Sequence, residues 1–246
     1  MKNIDKDTPD ISVVVLCYKA GKPIVDFISE VKKYLENRGL SYELVLVANY
    51  DKGEDLKDET PAIVNALALK DHHLLVVSKV KAGMYGWDVR SGLEIASGRT
   101  VAYIDGDGQM PAVDVVRVYD ELTKNRSDMA QTFRVKRHDS LRRIFISRVY
   151  NAFLKILYPE ISIHDVNSKP KIFTRESINQ LDLKSDDWFI DAEIVIKATR
   201  FKFSVLQIPT VFLKNRNRSS FVNLGTIFEF LRNLIRYRFS RKSSSR

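Results

Sequence analysis

Among 246 residues there is one cysteine, Cys17, so no intrachain disulfide can form. The four histidines, His72, His73, His138 and His164, have no second cysteine beside them and no zinc-ligand spacing. A reducing compartment fits this usage best. Long apolar runs are also missing. The longest, Val13 to Tyr18, covers six residues, against the roughly 20 that cross a bilayer. Met1 to Asp10 is polar and lacks the apolar core of a secretory signal. With ten glycines and seven prolines the chain is neither collagen-like nor low in complexity. The Gly-Lys-Ser/Thr of a P-loop occurs nowhere.

What is present suits a single globular domain: 44% of the residues are hydrophobic and 29% charged, enough to enclose one core at this length. The formal net charge of +9 is unevenly placed. Lys214 to Arg246 holds nine basic residues and one acid, Glu229, and Arg134 to Arg148 holds six basic residues and Asp139. The remainder is mildly acidic. Two basic patches on an acidic body suit anionic partners such as phosphates, lipid headgroups or nucleic acid, and equally suit a solvated basic face.

Hydrophobic periodicity predicts four strand-helix units. Ser12 to Tyr18 is followed by a helical pattern through Ile24, Phe27, Ile28, Val31 and Leu35. Tyr42 to Ala48 leads to a helix near Thr60 to Leu69, Leu74 to Ser78 to a helix over Tyr85 to Ala96, and Thr100 to Ile104 to a helix ending near Lys124. Such alternation predicts an α/β fold with a Rossmann-like, doubly wound sheet whose strands are covered on both faces. Beyond Met129 the pattern loosens. A strand to Phe133, a long helix from Ser140 to Tyr158, a strand Lys171 to Phe173, helices near Glu176 and over Ile190 to Thr199, and a last strand Phe203 to Ile208 closed by Pro209 are expected. Thr226 and Glu229 then open a C-terminal amphipathic helix with Leu224, Ile227, Phe228, Leu231, Leu234 and Ile235 on one stripe and arginines largely off it. That helix suits either a membrane interface or docking on the core.

The sharpest chemical signal is Tyr103-Ile-Asp105-Gly-Asp107-Gly-Gln109-Met-Pro111, placed where the fourth strand ends. Ligands of doubly wound sheets bind at that edge. A dinucleotide fingerprint needs a small residue where Pro111 stands, and an EF-hand needs Gly and Glu where the chain has Met110 and Val116. Two carboxylates two residues apart, with an amide two further on, can instead hold Mg²⁺ or Mn²⁺, which then coordinates a diphosphate. A solvated Asp/Gly turn is the plain alternative.

Asp-x-Asp-x-Gln-x-Pro after a strand resembles the signature of family-2 glycosyltransferases, in particular the branch of dolichyl-phosphate mannose synthase and other prenyl-phosphate glycosyltransferases. The resemblance runs in order from about Ile11 to Phe221. It includes Tyr18-Lys-Ala, Lys81-Ala-Gly83, Arg90-Ser-Gly92 through Gly98, Asp165-Val-Asn-Ser168-Lys169, Asp186 through Asp191-Ala-Glu193, and Arg216-Asn-Arg218-Ser-Ser220. The family commonly has Asp-Asp-Gly-Ser after its second strand, where this chain has Asn49-Tyr50-Asp51, and Lys19-Ala20 replaces a usual Asn-Glu pair. The nucleoside contact is therefore altered.

The resemblance implies a GT-A fold, a mostly parallel sheet, with residues 1–10 a flexible N-terminus, 11–221 the catalytic domain, and 222–246 a basic amphipathic helix and tail. It further implies a metal-dependent inverting transfer of a hexose from a GDP- or UDP-linked donor to a polyprenyl or dolichyl phosphate. Asp105, Asp107 and Gln109 would hold Mg²⁺ or Mn²⁺. Tyr18, Asn49, Asp51, Lys81, Gly83, Asp105 and Gly106 would meet the nucleotide-sugar. Arg134, Arg137, Arg143, Ser168, Lys169, Arg216 and Arg218 would meet phosphate or acceptor, with Asp191 an acceptor-side acid counted, like Asp105 and Asp107, as catalytic. The implied setting is the cytosolic face of a membrane, held peripherally. Transfer to a sugar hydroxyl, with Asp191 as base, is the alternative enzyme. Two non-catalytic alternatives are a nucleic-acid-binding protein using the basic tail and a transferase fold kept for binding alone.

Overall fold

Val13, Val14, Val15 and Leu16 are consecutive apolar residues, and a strand sends neighbours to opposite faces, so such a run needs cover on both sides. The computed structural model describes residues 8–54, 57–137, 149, 152–213 and 232–239. Its elements run β1 (Ile11–Leu16), α1 (Ile24–Arg38), β2 (Tyr42–Val47), α2 (Thr60–Ala68), β3 (Leu74–Val77), α3 (Tyr85–Ile95), β4 (Thr100–Asp105), α4 (Asp114–Asn125), β5 (Met129–Arg137), β6 (Lys171–Thr174), α5 (Arg175–Leu181), α6 (Ile190–Arg200) and β7 (Val205–Phe212). Residues 152–157 and 232–239 are also helical.

The strands form one seven-stranded sheet in the order β3-β2-β1-β4-β6-β5-β7. β6 is antiparallel to both β4 and β5, and the other pairings are parallel. On one face Val13 and Val15 join Leu44, Leu46, Ala102 and Ile104 beneath α1 and α4. On the other, Val14 and Leu16 join Val45, Val47, Val101 and Tyr103 beneath α3, α5 and α6. A third cluster gathers Leu154, Tyr158, Phe189, Val195 and Leu234. The C-terminal helical stretch thus lays Leu234 and Tyr237 on the body of the protein, while Ile235 and Phe239 stay exposed.

Two expectations are corrected. The last strand does not stop at Ile208: β7 runs through Pro209 to Phe212, paired with β5. β7 is an edge strand, where proline forfeits no required ladder bond. β5 continues past Phe133 to Arg137, with a register shift between Arg134 and Lys136 that leaves Val135 bulged and exposed. The proposed helix from Ser140 is described only over its final turns, which end before Tyr158. Thr226, Glu229 and the stripe up to Leu231 lie outside the described residues.

α3 lies against β1 and β2 closely enough that a Cβ on Gly92 would come 2.3 Å from Val14 Cγ1 and 2.7 Å from Val47 Cγ2. Gly92→Val should therefore force the helix off the sheet and destabilise the fold by about 1–3 kcal/mol. Urea unfolding should show a lower midpoint at unchanged slope.

Candidate active site

Strand register decides which side chains meet. Leu16 of β1 pairs with Val47 of β2 on one side and Asp105 of β4 on the other, and Val47 pairs with Val77 of β3. The segments that follow these residues, carrying Tyr18, Asn49 to Asp51, Lys79 to Lys81 and Asp105 to Gln109, therefore emerge on one edge. Between β1 and β4 the strand order reverses, which opens a crevice at the carboxyl ends of the strands.

On the β1–β3 side of this crevice Tyr18 donates its hydroxyl to Asp51 Oδ2 at 2.6 Å, and Lys19 Nζ reaches the same oxygen at 3.1 Å. The bond from Tyr18, more than the opposing burial, holds the Asp51 carboxyl below its ordinary range. The Lys81 ammonium lies 4.0 Å from the Tyr18 ring centroid and pairs with buried Asp88. Asn49 is placed differently from expectation. It is fully buried, donating to Asp88 Oδ1 (2.9 Å) and Ser91 Oγ (3.1 Å) and accepting from Lys79 N–H (3.2 Å). It shapes the loop and has no surface for a nucleoside.

The acidic loop leaves β4 beside β1: Gly106 N–H donates to Leu16 O at 2.9 Å, and a Cβ there would lie 2.5 Å from Ile24 Cδ1. Gly106 thus permits the approach that exposes both acids to the crevice. Asp105 Oδ1 accepts from the Tyr85 hydroxyl (2.9 Å), and its Oδ2 is 3.8 Å from Lys169 Nζ. Asp107 Oδ1 accepts the Gln109 N–H at 3.0 Å. Gln109 is buried, and its Nε2 donates to Leu213 O at 3.1 Å while its backbone carbonyl accepts the Leu213 N–H. That amide ties the loop to the end of β7. The two carboxylates fit Mg²⁺ or Mn²⁺, which bind through one or two protein carboxylates with substrate phosphate and water completing the shell. Among the described residues the one cluster of three or more histidine, cysteine or acidic ligand atoms is Asp71, His72 and His73. It sits just before β3, at the opposite edge, and Asp71 is paired with Lys32.

Beneath Asp105 lies a buried ionic network. β6 runs antiparallel to β4 with Lys171 opposite Tyr103, so Lys169, two residues earlier, falls beside Asp105. Asp191, in the first turn of α6, accepts from Lys169 Nζ (2.8 Å), Lys171 Nζ (2.7 Å) and the Tyr103 hydroxyl (2.6 Å). Burial works to raise the Asp191 pKa, but the two ammoniums overcome it and hold the carboxyl far below its usual range. Burial also pulls Lys171 down to about 8, with Lys169 adding to the effect and Asp191 opposing it. For Lys169, Asp105 and Asp191 outweigh burial and raise the pKa. An acid held by two ammoniums and a hydroxyl is a poor proton acceptor, and in this geometry Asp191 anchors two lysines.

The other phosphate candidates divide. Arg134 makes a bidentate pair with Asp165, at 2.6 and 2.7 Å, with its guanidinium 5.0 Å from the Phe212 ring centroid. It braces β5 against the following loop instead of standing open to a ligand. Ser168 is fully buried, its Oγ 2.7 Å from Thr132 Oγ1. Arg137 ends β5, while Arg143, Arg216 and Arg218 lie outside the described residues. Gly83 packs against the loop at 186, where a Cβ would meet Asp186 Cβ at 3.0 Å. In that loop Asp186 O accepts from Met84 and Trp87, and Asp187 O from Gly86, closing the start of α3. Trp188 stacks on Tyr85 at 5.5 Å, and Asn233 bonds Asp187 from the C-terminal stretch.

Tyr85, Tyr103, Lys171 and Trp188 were not singled out from the sequence. The one available signal was Lys171, a lysine inside an apolar strand that demands a buried partner.

A model of Glycosyl transferase family 2 matches residues 12–182. The chain is 25% identical to glycosyltransferase AglD of Haloferax volcanii over 208 residues, 81% of this chain and 32% of that protein. It is 25% identical to the dolichyl-phosphate beta-glucosyltransferase of Homo sapiens over 223 residues, 83% of this chain and 67% of the relative. The chain thus spans about a third of the length of the first and two thirds of the second. Among solved structures, glucosyl-3-phosphoglycerate synthase from Mycobacterium tuberculosis in complex with Mn²⁺, UDP and phosphoglyceric acid superposes with a TM-score of 0.70 at 19% identity, covering 96% of this chain and 79% of that one. At that identity the likeness is one of fold, the GT-A type.

Asp191→Asn should leave two buried ammoniums without their counter-ion and lose about 3–5 kcal/mol of stability in urea unfolding. The folded pKa of Asp191 lies below the unfolded one, so its contribution is complete above about pH 4 and is lost only as pH falls through the folded value. In the variant Lys171 loses the carboxylate that opposes its burial and gives up its proton more readily, so the difference between the two proteins should narrow from pH 5 to pH 7.

Proposed function

The chain belongs to glycosyl transferase family 2, and from that premise we propose that it moves a hexose from a nucleoside-diphosphate sugar to a polyprenyl or dolichyl phosphate, with inversion at the anomeric carbon. The observation that carries this reading is the pair Asp105 and Asp107 on the crevice edge where the strand order reverses, with the Lys169 ammonium beside the first of them.

The donor would lie along that edge. Tyr18 and Asp51 face the nucleoside side, and both described contacts of Asp51 fall on Oδ2, leaving Oδ1 for a ribose hydroxyl. Asp105 and Asp107 would hold the divalent ion, which when bound neutralises charge growing on the departing diphosphate. The Tyr85 hydroxyl orients Asp105 by its bond to Oδ1, and Trp188 stacks on the Tyr85 ring. Stacking and hydrogen bonding together restrict the carboxylate to one rotamer before the donor arrives, a form of preorganisation.

Acceptor chemistry follows from what the crevice has for proton transfer. A sugar hydroxyl requires a general base to attack an anomeric carbon, whereas a phosphate monoester, with a second pKa of about 6, is already anionic at neutrality. Asp191, the acid considered as that base, is committed to two lysines and a tyrosine. This favours an anionic acceptor over a hydroxyl. A phosphate oxygen would attack from the face opposite the leaving diphosphate, forming the new C–O bond as the old one breaks. The curated human relative is named for dolichyl phosphate, which accords with that acceptor class.

No helix among the described residues is long and apolar enough to cross a membrane. Exposed Ile235 and Phe239, with Arg232 and Arg236 beside them, give the C-terminal stretch the make-up of a peripheral contact with an anionic bilayer on its cytosolic face. A nucleic-acid-binding role leaves the acid pair and the ionic network beneath it without a purpose.

UDP- and GDP-hexoses, screened by thermal shift, should stabilise the protein with Mn²⁺ present and much less without it, by about 2.7 kcal/mol at a hundredfold excess over Kd. Asp107→Ala should remove the Mn²⁺-dependent part while leaving the unliganded melting temperature nearly unchanged. Absence of any nucleotide-sugar shift in the wild-type protein would overturn the reading. Transfer of radiolabelled hexose to a short prenyl phosphate, at an unchanged rate in Asp191 variants that stay folded, would exclude the base role.

A further inference from the structure

Lys169 holds an unusual place. Its side chain is 7% exposed, with Nζ 2.8 Å from Asp191 Oδ2, 3.8 Å from Asp105 Oδ2 and 4.8 Å from the Tyr85 ring centroid. Asp191 does not depend on it alone, because Lys171 Nζ and the Tyr103 hydroxyl meet the other oxygen of that carboxylate. Counted as ions, Asp105 and Asp191 balance Lys169 and Lys171, with Asp107 a further acid at the crevice edge. The inner part of this cluster is out of water, with Lys171 fully buried and Asp191 4% exposed, while Asp105 is 28% exposed at the crevice. A divalent cation arriving at Asp105 and Asp107 would bring two positive charges against the one negative charge that Asp107 adds, leaving an excess of positive charge near an ammonium that is only 7% exposed. In a buried site such repulsion is weakly screened. An anion bridging ion and ammonium would restore the balance.

We propose that Lys169 makes divalent-ion binding at Asp105 and Asp107 conditional on a diphosphate, which the ion and the Lys169 ammonium receive together. This rests on the reading that Asp105 and Asp107 are the ion's ligands, and it adds an order to that site: bare metal binds weakly, and metal with diphosphate binds as a unit. The ligand class is the diphosphate group itself, whether carried by a nucleoside or free as pyrophosphate. After transfer, loss of the nucleoside diphosphate would expose the ion to the unbalanced ammonium again, so ion and product leave together. No covalent step is involved.

The test is Mn²⁺ binding followed by electron paramagnetic resonance, with Mn²⁺ alone and with saturating UDP or pyrophosphate, on the wild-type protein, Lys169→Met and Lys169→Arg. Lys169→Met keeps Asp191 paired to Lys171 and Tyr103, and circular dichroism establishes that it is folded. It should bind Mn²⁺ alone about tenfold more tightly than wild type, and the enhancement of Mn²⁺ affinity by diphosphate should shrink by at least about tenfold. Lys169→Arg, which keeps the charge, should retain weak binding of the bare ion and most of the enhancement. Enhancement by UDP but not pyrophosphate would show that the nucleoside, not the diphosphate, sets the order, and would overturn the proposal. Equal Mn²⁺ affinity and equal enhancement in wild type and Lys169→Met would overturn it too, while leaving the acid pair as the metal site. If wild type binds no Mn²⁺ under either condition, the metal site of the proposed function falls, and this inference with it.

Discussion

Two lysine ammoniums and a tyrosine hydroxyl converge on one buried carboxylate, Asp191, and the crevice at the carboxyl ends of the strands is built above that point. An arrangement of this kind is expensive to bury and severe to break, so it tolerates little displacement of the elements that supply it. Those elements are the start of β6, the middle of β4 and the first turn of α6. Because Lys169 also faces Asp105, the network sets the position of the acid pair from below, while Tyr85 and Trp188 set it from the side.

The reversed strand is what allows this. Had β6 run parallel to β4, its carboxyl end and not its start would have reached the crevice, and the lysines at its beginning would have faced the opposite edge. Antiparallel pairing of Tyr103 with Lys171 brings them to the acids. The loop over 184–188 adds a second tie. Glu193, buried in α6, accepts the backbone N–H groups of Lys184 and Ser185, and the loop so held receives the start of α3 through the carbonyls of Asp186 and Asp187. Asn233 reaches the same loop through Asp187. Helix start, stacked aromatics and C-terminal stretch thus share one short segment.

Legibility of the fold was greatest where one periodicity dominated. The four N-terminal strand-helix units needed only short continuous apolar runs, helical patterns of period 3.6 and the turns between them, and their strands fall within a residue or two of the expected bounds. β7 was cut short because proline reads as a terminator unless one knows that the strand lies at the sheet's edge. For the site, the residues of the acidic loop were readable, since paired carboxylates at a strand end carry their own chemical demand. Asn49, Arg134 and Ser168, expected at ligand contacts, each bond a protein partner in the structure. Whether an amide, guanidinium or hydroxyl faces a ligand or a neighbour depends on partners 30 or more residues away, Asp88 for the first, Asp165 for the second and Thr132 for the third.

By itself the sequence determined the doubly wound character of the sheet and the place of the acid pair at a strand's carboxyl end, because each rests on local pattern: alternation, turn chemistry and short spacing; the family followed from the resemblance of motifs that run in order along the chain. Tertiary structure alone decided that Asp191 is an anchor, that Lys169 stands beside Asp105, and that Tyr85 and Trp188 complete the wall. These depend on strand direction and register, which place side chains far apart in the chain within hydrogen-bonding distance, and on burial, which makes their charges matter.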